Sequence, residues 1–187
     1  MADEALQLTF AIPKKTEKPI GFPLEMIFTY DGTSKSQTEY SKNVYNHYLS
    51  SAEKRSMPEK LFERFCENNS NVNWFYKNGD KGIEFFSIVY MDNFGKQKSF
   101  YPDYVVGTSC GVWIVETKGG FTKSGGSEDI DRFTAKKFEV LKKYLDKYDL
   151  HGGIVRQDKQ SGELCICIDS YSDNIQDSCW RLLSEML

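Results

Sequence analysis

Two acidic residues and a lysine stand in an apolar stretch of this chain, residues 99–120, which reads SFYPDYVVGTSCGVWIVETKGG. Its apolar runs on either side of a short turn predict a β-hairpin. A turn centred on residues 109–110 would pair Asp103 with Glu116, and directly paired residues share one face of a sheet. Lys118 is two residues beyond Glu116, so the same face would carry it too.

Two carboxylates opposed across apolar strands repel each other and are costly to remove from water. A divalent cation between Asp103 and Glu116 would remove both costs, and carboxylate oxygens are the ligands that Mg²⁺ prefers. Two simpler readings stay open: both acids could be solvated at strand ends, or Lys118 could just neutralise Glu116. A register slip of one residue would also abolish the pairing.

The elements around the hairpin are predicted from capping signals and apolar periodicity. Ser56, followed by Glu59 three residues later and with Pro58 in the first turn, has the spacing of a capping box and starts a helix. Two strands follow in VNWFYKNGDKG and IEFFSIVY, and the hairpin supplies two more. A long amphipathic helix then spans residues 127–148. Two strands, HGGIVRQ and ELCICID, and a closing helix over residues 173–187 complete the chain.

The predicted fold is therefore α/β (α+β): a central mixed sheet flanked by helices, in the order α-β-β-β-β-α-β-β-α. We assign this order to a main domain at residues 51–187. Residues 1–50 form an N-terminal annex, rich in predicted strands such as LQLTFAI and LEMIFTY, with a proline-punctuated connector between them.

Composition sets broad limits on function. At 187 residues, with 40% hydrophobic and 27% charged residues, the chain suits one globular domain. Its apolar runs are far shorter than the roughly 20 residues of a membrane helix. The first residues do not have a basic region followed by an apolar stretch and a cleavage site, so we expect no signal peptide, a cytoplasmic protein and no membrane partner. The net charge of −3 gives no support to nucleic-acid binding.

The five cysteines are scattered along the chain. Cys165 and Cys167 would share a face of their strand, but neither histidine stands at a metal-site spacing from them. Free thiols are the favoured interpretation.

The hairpin residues carry a resemblance to a known family. YPDY followed by IVETKGG resembles the Pro-Asp…(Asp/Glu)-X-Lys signature of the restriction-endonuclease-like nuclease superfamily. The longer pattern VNWFYKNGDKGIEFFSIVY…FYPDYVV…VWIVETKGG is similar to the nuclease domain at the C-terminus of type III restriction enzymes and related helicase-nuclease proteins. The resemblance covers residues 56–148.

The resemblance implies a role for each matching residue. Asp103 and Glu116 would bind Mg²⁺, for which Mn²⁺ could substitute, together with the backbone carbonyl of Thr117. Lys118 would orient or help deprotonate the attacking water and stabilise the transition state. Glu59 corresponds to an acid that completes the metal site in many members, although a capping role explains it nearly as well.

Two lysines of the long helix are further candidates. Lys136 and Lys137 would either meet DNA phosphates or form a solvated helix face, which is the usual reading of a lysine run.

The expected activity is Mg²⁺-dependent hydrolysis of phosphodiester bonds in double-stranded DNA. Type III restriction subunits also carry an ATP-dependent helicase motor, and they act with a DNA-modification subunit. The glycine stretch KGGFTKSGGS lacks the phosphate-binding pattern of such a motor. The chain is thus expected to be either a C-terminal fragment of a larger protein, which the mid-strand opening of the annex favours, or a free-standing nuclease.

Two alternatives keep the fold but change the function. One is a DNA-binding or docking domain whose acids no longer hold a metal, and the other is a nuclease specific for junctions or transposon ends. Cleavage of both strands would need two active sites, as a transient dimer would supply.

Overall fold

The computed structural model describes residues 20–22, 40–44, 55–92, 94–119 and 133–187. This part of the chain contains the following helices and strands: α1 (Met57–Asn68), β1 (Val72–Lys77), β2 (Ile88–Met91), β3 (Gln97–Phe100), β4 (Tyr104–Thr108), β5 (Gly111–Lys118), α2 (Thr134–Tyr148), β6 (His151–Gln157), β7 (Leu164–Cys167), β8 (Trp180–Leu182) and α3 (Leu183–Met186).

Six of the strands form one mixed sheet in the order β1-β4-β5-β6-β7-β8. Only β5 and β6 are parallel, and every other neighbouring pair is antiparallel. The parallel pair follows from the connection between them, because α2 carries the chain back before β6 starts. Strands β2 and β3 pair separately. The mixed α+β architecture with a central sheet is confirmed.

The hairpin of β4 and β5 has the register that the sequence predicts. Val105 is opposite Ile114 and Gly107 is opposite Val112. The ladder ends at Tyr104, however, so Asp103 lies in a bend just before β4 and not within it. The predicted pairing of Asp103 with Glu116 is therefore not part of the ladder, and the Asp103 carboxylate instead accepts hydrogen bonds from Thr117.

The two faces of the sheet bury separate hydrophobic clusters. On one face α1 contributes Phe62 and Cys66, which pack with sheet residues that include Tyr104 and Val115. We call this the α1 side. On the other face, the α2 side, Leu141 of α2 packs with residues of β4 and β5, among others. Because side chains alternate along a strand, Glu116 belongs to the α2 side and Thr117 to the α1 side.

Three parts of the prediction differ from the structure. The strand predicted in IEFFSIVY begins only at Ile88, as β2. Residues 97–100 form β3, which the prediction leaves out because QKSF is mostly polar and has no apolar alternation. The predicted closing helix over residues 173–187 is wrong: most of it is irregular, and it ends in β8 and the four-residue α3. Trp180 pairs with Cys167 of β7, and this long-range ladder outweighs the helical tendency of a short apolar run.

Of the long predicted helix, residues 134–148 are helical as α2, and its residues 127–132 lie outside the described residues. The predicted annex strands also lie outside them. Residues 40–44 do contact the main domain: the backbone of Phe75 bonds to Lys42 and Val44, and Tyr40 is buried in the α1-side cluster.

All five cysteines are free, as predicted, and Cys165 and Cys167 pack in one cluster. Within the described ranges, no helix has the length and apolar character that crossing a bilayer requires.

Candidate active site

Helix α1 begins at the capping box that the sequence predicts. The Ser56 hydroxyl accepts a hydrogen bond from the Glu59 N–H at 3.4 Å, and the Glu59 carboxylate accepts one from the Ser56 N–H at 2.7 Å. The start of this helix lies against the end of β5, where a Cβ added to Gly119 would come within 1.8 Å of the Pro58 ring. This contact brings the Glu59 carboxylate close to the hairpin.

The Asp103 carboxylate is fixed by three donors. Oδ2 accepts hydrogen bonds from both the backbone N–H and the hydroxyl of Thr117, each at 2.7 Å. Oδ1 accepts a bond from the Lys77 ammonium at 3.2 Å. The carbonyl of Asp103 also accepts a bond from the N–H of Asn78 at 2.8 Å. The bend before β4 is thus held on both its main chain and its side chain.

Glu116 is the most deeply buried of the predicted catalytic residues, with 5% of the residue exposed. Its Oε1 lies 2.7 Å from the Lys118 ammonium, which confirms that these two side chains share a face. Its Oε2 is buried and accepts no hydrogen bond from the described residues. Burial, and then the negative charge of Asp103, raise the pKa of Glu116 to about 7, against the opposing effect of Lys118 and Lys137.

Lys77 at the end of β1 joins this group, although the sequence does not single it out. Its ammonium lies 3.0 Å from Glu59 Oε1 and 3.2 Å from Asp103 Oδ1, and only 3% of its side chain is exposed. The more distant Asp80 carboxylate lies 3.8 Å away. Burial by itself lowers the pKa of this lysine, but the charges of Asp103 and Glu59 outweigh that effect and raise it.

A lysine at the end of a strand usually indicates a solvated side chain, so the sequence gives little warning of this role. The one signal is the alternation in β1, which places Lys77 on the same face as the fully buried Phe75.

Helix α1 also carries the buried acid Glu63, which contacts the residue next to Asp103. Glu63 accepts a hydrogen bond from the Tyr104 hydroxyl at 2.6 Å and pairs with Arg55 at 3.0 Å. Burial raises its pKa to about 7. Because Tyr104 follows Asp103 directly, this network ties the first residue of β4 to α1.

The two predicted phosphate-binding lysines lie in different surroundings. The Lys136 ammonium pairs with Glu139 on the same helix at 2.9 Å. The Lys137 ammonium lies 5.8 Å from the centre of the Phe100 ring, and its charge acts on Glu116. Of the two lysines, Lys137 is the one whose charge lowers the pKa of Glu116.

The donor set can be compared with the needs of Mg²⁺. Among the described residues, no group of three or more His, Cys, Asp or Glu side chains is placed to share a metal ion. Mg²⁺, however, is usually held by only one or two carboxylates, with water or phosphate oxygens completing its shell. The buried and unpartnered Oε2 of Glu116 carries a desolvation cost that a bound cation would relieve. Glu116 therefore fits a metal ligand through Oε2, and Asp103 fits one through Oδ1, because its Oδ2 is taken up by two hydrogen bonds from Thr117. The family resemblance adds the Thr117 carbonyl.

Comparison with known proteins found no match to this chain among protein-family models, curated proteins or solved structures.

Proposed function

We propose that this chain is a Mg²⁺-dependent endodeoxyribonuclease domain with a restriction-endonuclease-like fold, and that it is the cleavage module of a type III restriction system. The observation that carries the proposal is the buried carboxylate of Glu116, which the charge of Asp103 affects. One of its oxygens contacts Lys118, and the other has no hydrogen-bond partner among the described residues. A buried carboxylate oxygen without a hydrogen-bond donor costs free energy, and a bound cation would offset that cost.

In this proposal each residue of the site has a separate role. Asp103 and Glu116 hold the metal, and Thr117 keeps Asp103 in place through two hydrogen bonds. Bound there, Mg²⁺ would supply Lewis-acid polarisation of a phosphoryl oxygen and would acidify water. Lys118 has three N–H donors, and its contact with Glu116 fixes its ammonium beside the metal ligand. From there it would orient the attacking water and stabilise the negative charge that builds up on the phosphoryl group.

The DNA would be double-stranded, and Lys137 is the helix residue best placed to meet a phosphate near the site. A helicase motor and a DNA-modification subunit are expected from the family resemblance, and a transient dimer is expected because cleavage of both strands needs two active sites.

A second function has one observation in its favour. Both hairpin acids already have a lysine partner, Lys77 for Asp103 and Lys118 for Glu116, so their charges are compensated by the protein itself. This is what a non-catalytic DNA-binding domain of the same fold would need.

Metal binding separates the two functions. Titration calorimetry with Mg²⁺ and Mn²⁺ should show binding to the parent chain and none to Asp103→Ala. The exposed Glu185→Ala serves as the matched control and should bind like the parent. Lys118→Met should keep the metal but lose cleavage of a linear duplex. Equal binding by the parent and Asp103→Ala, or no cleavage by a metal-loaded parent, would favour the non-catalytic domain.

A further inference from the structure

The position between Glu59 and Asp103 is filled by an ammonium group of the protein itself. Lys77 Nζ lies 3.0 Å from an oxygen of Glu59 and 3.2 Å from an oxygen of Asp103. The three side chains come from α1, β1 and the bend before β4, so no local sequence pattern brings them together. We call each pair of neighbouring acids an acidic edge of the site. The first edge is Glu59 with Asp103, and the second is Asp103 with Glu116.

These two edges differ in what occupies them. Lys77 is held between its acids with 3% of its side chain exposed, against 15% and 18% for Glu59 and Asp103. Its aliphatic stem lies in the sheet opposite Tyr104, and its ammonium is 5.3 Å from the centre of that ring. On the second edge, Oε2 of Glu116 has no hydrogen-bond partner in the part of the chain that the structure describes. The first edge is thus closed by a built-in cation, whereas the second presents an unsatisfied oxygen.

We propose that Lys77 takes the place of a second metal ion and makes this a single-metal site. The inference rests on the proposed function, in that the Asp103–Glu116 edge is the one that takes Mg²⁺. Lys77 is then a positioning residue. It holds Oδ1 of Asp103, whereas Thr117 holds Oδ2, and it anchors Glu59, which affects the metal through Lys77 without touching it.

Physical chemistry supports this assignment. Two carboxylates that converge on one point without a cation repel each other, and a divalent ion and an ammonium group are both able to bridge them. An ammonium group on a packed stem is present without any binding step, so it keeps Asp103 in place before the metal arrives. It also adds one positive charge where a second metal ion would add two, and this leaves the site less electropositive than a two-metal centre.

Replacement of Lys77 tests the inference by stoichiometry. Mn²⁺ is titrated into the parent, Lys77→Met and the double variant Glu59→Gln/Lys77→Met. We expect the methionine variant to bind one more Mn²⁺ per chain than the parent, because the emptied edge now has two uncompensated acids. The double variant should return to the parent number, because only one acid of that edge remains.

Thermal unfolding gives a readout that does not depend on activity. In EDTA, the melting temperature of Lys77→Met should fall below that of the parent, and Mn²⁺ should raise it by more than it raises the parent's. If Lys77→Met does not fold, Lys77→Gln provides the same comparison, because its amide is neutral and still donates hydrogen bonds.

The outcomes separate this inference from the proposed function. The parent and both Lys77 variants could bind the same number of Mn²⁺ ions per chain and show the same Mn²⁺-induced rise in melting temperature. That result would overturn the role of Lys77 and leave the nuclease proposal intact. Mn²⁺ binding by Lys77→Met alone, with none in the parent, would support Lys77 as the resident cation and would contradict the metal site of the proposed function.

Discussion

The Asp103 carboxylate receives two hydrogen bonds from a single residue, Thr117, one from its backbone N–H and one from its hydroxyl, each 2.7 Å long. This contact crosses the hairpin from the bend before β4 to the end of β5. It connects the residue between Glu116 and Lys118 to the first acid of the motif, so the two halves of the motif are joined by direct bonds.

Loss of the Thr117 hydroxyl should therefore weaken metal binding. Thr117→Val removes one of the two bonds, and we expect Mn²⁺ affinity to fall by about 10–100-fold, the range typical of partners that orient a metal ligand. Calorimetry measures this effect. Thr108→Val is the matched control, because it removes hydroxyl bonds to Cys110 and Gly111 at the other end of the hairpin. Equal losses of affinity in the two variants would show that Thr117 has no specific role.

Metal-free stability should fall as the pH rises through the titration of Glu116. The pKa of this acid is raised by burial from 4.5 to about 7, so the folded chain keeps a proton that the unfolded chain has already lost. The free energy of unfolding should then decrease between about pH 4.5 and 7. Urea unfolding in EDTA measures it across this range. Glu116→Gln does not titrate and should show a shallower decline than the parent; identical slopes would contradict the buried-acid assignment.

Lys136 and Lys137 should differ in their contribution to DNA binding. Lys137→Met is expected to weaken duplex binding and to reduce the salt dependence of binding by about one phosphate contact, whereas Lys136→Met should change neither. The reason is that the Lys136 ammonium pairs with Glu139, whereas the charge of Lys137 lowers the pKa of Glu116. Fluorescence anisotropy in Ca²⁺ over a range of salt concentrations measures both quantities. Equal effects would favour a diffuse helix face over a specific phosphate contact.

Gly119 should be intolerant of a side chain. Gly119→Ala places a Cβ within 1.8 Å of the Pro58 ring, so α1 or the end of β5 must move. Overpacking of this kind costs about 1–3 kcal/mol of unfolding free energy. Denaturant unfolding measures the loss, and Pro58→Ala in the Gly119→Ala background should recover part of it. A further loss in the double variant would show that the contact with Pro58 is not the cause.

The features that the sequence predicts correctly are those that depend on neighbours along the chain. The capping box at Ser56 and Glu59 is one, because both partners are within one helical turn. The hairpin register is another, since a short turn leaves few ways to pair two apolar strands. These local rules bring Glu116 and Lys118 onto one face.

The tertiary structure decides everything that depends on contacts between distant segments. Lys77 enters the site only because α1 and the bend at Asp103 converge on the end of β1. Residues 180–182 become a strand because β7 offers an unpaired edge, which no local pattern reveals. The residue types that suit a metal site can be recognised from the sequence, whereas the packing of α1 against the sheet places the ammonium of Lys77 between Glu59 and Asp103.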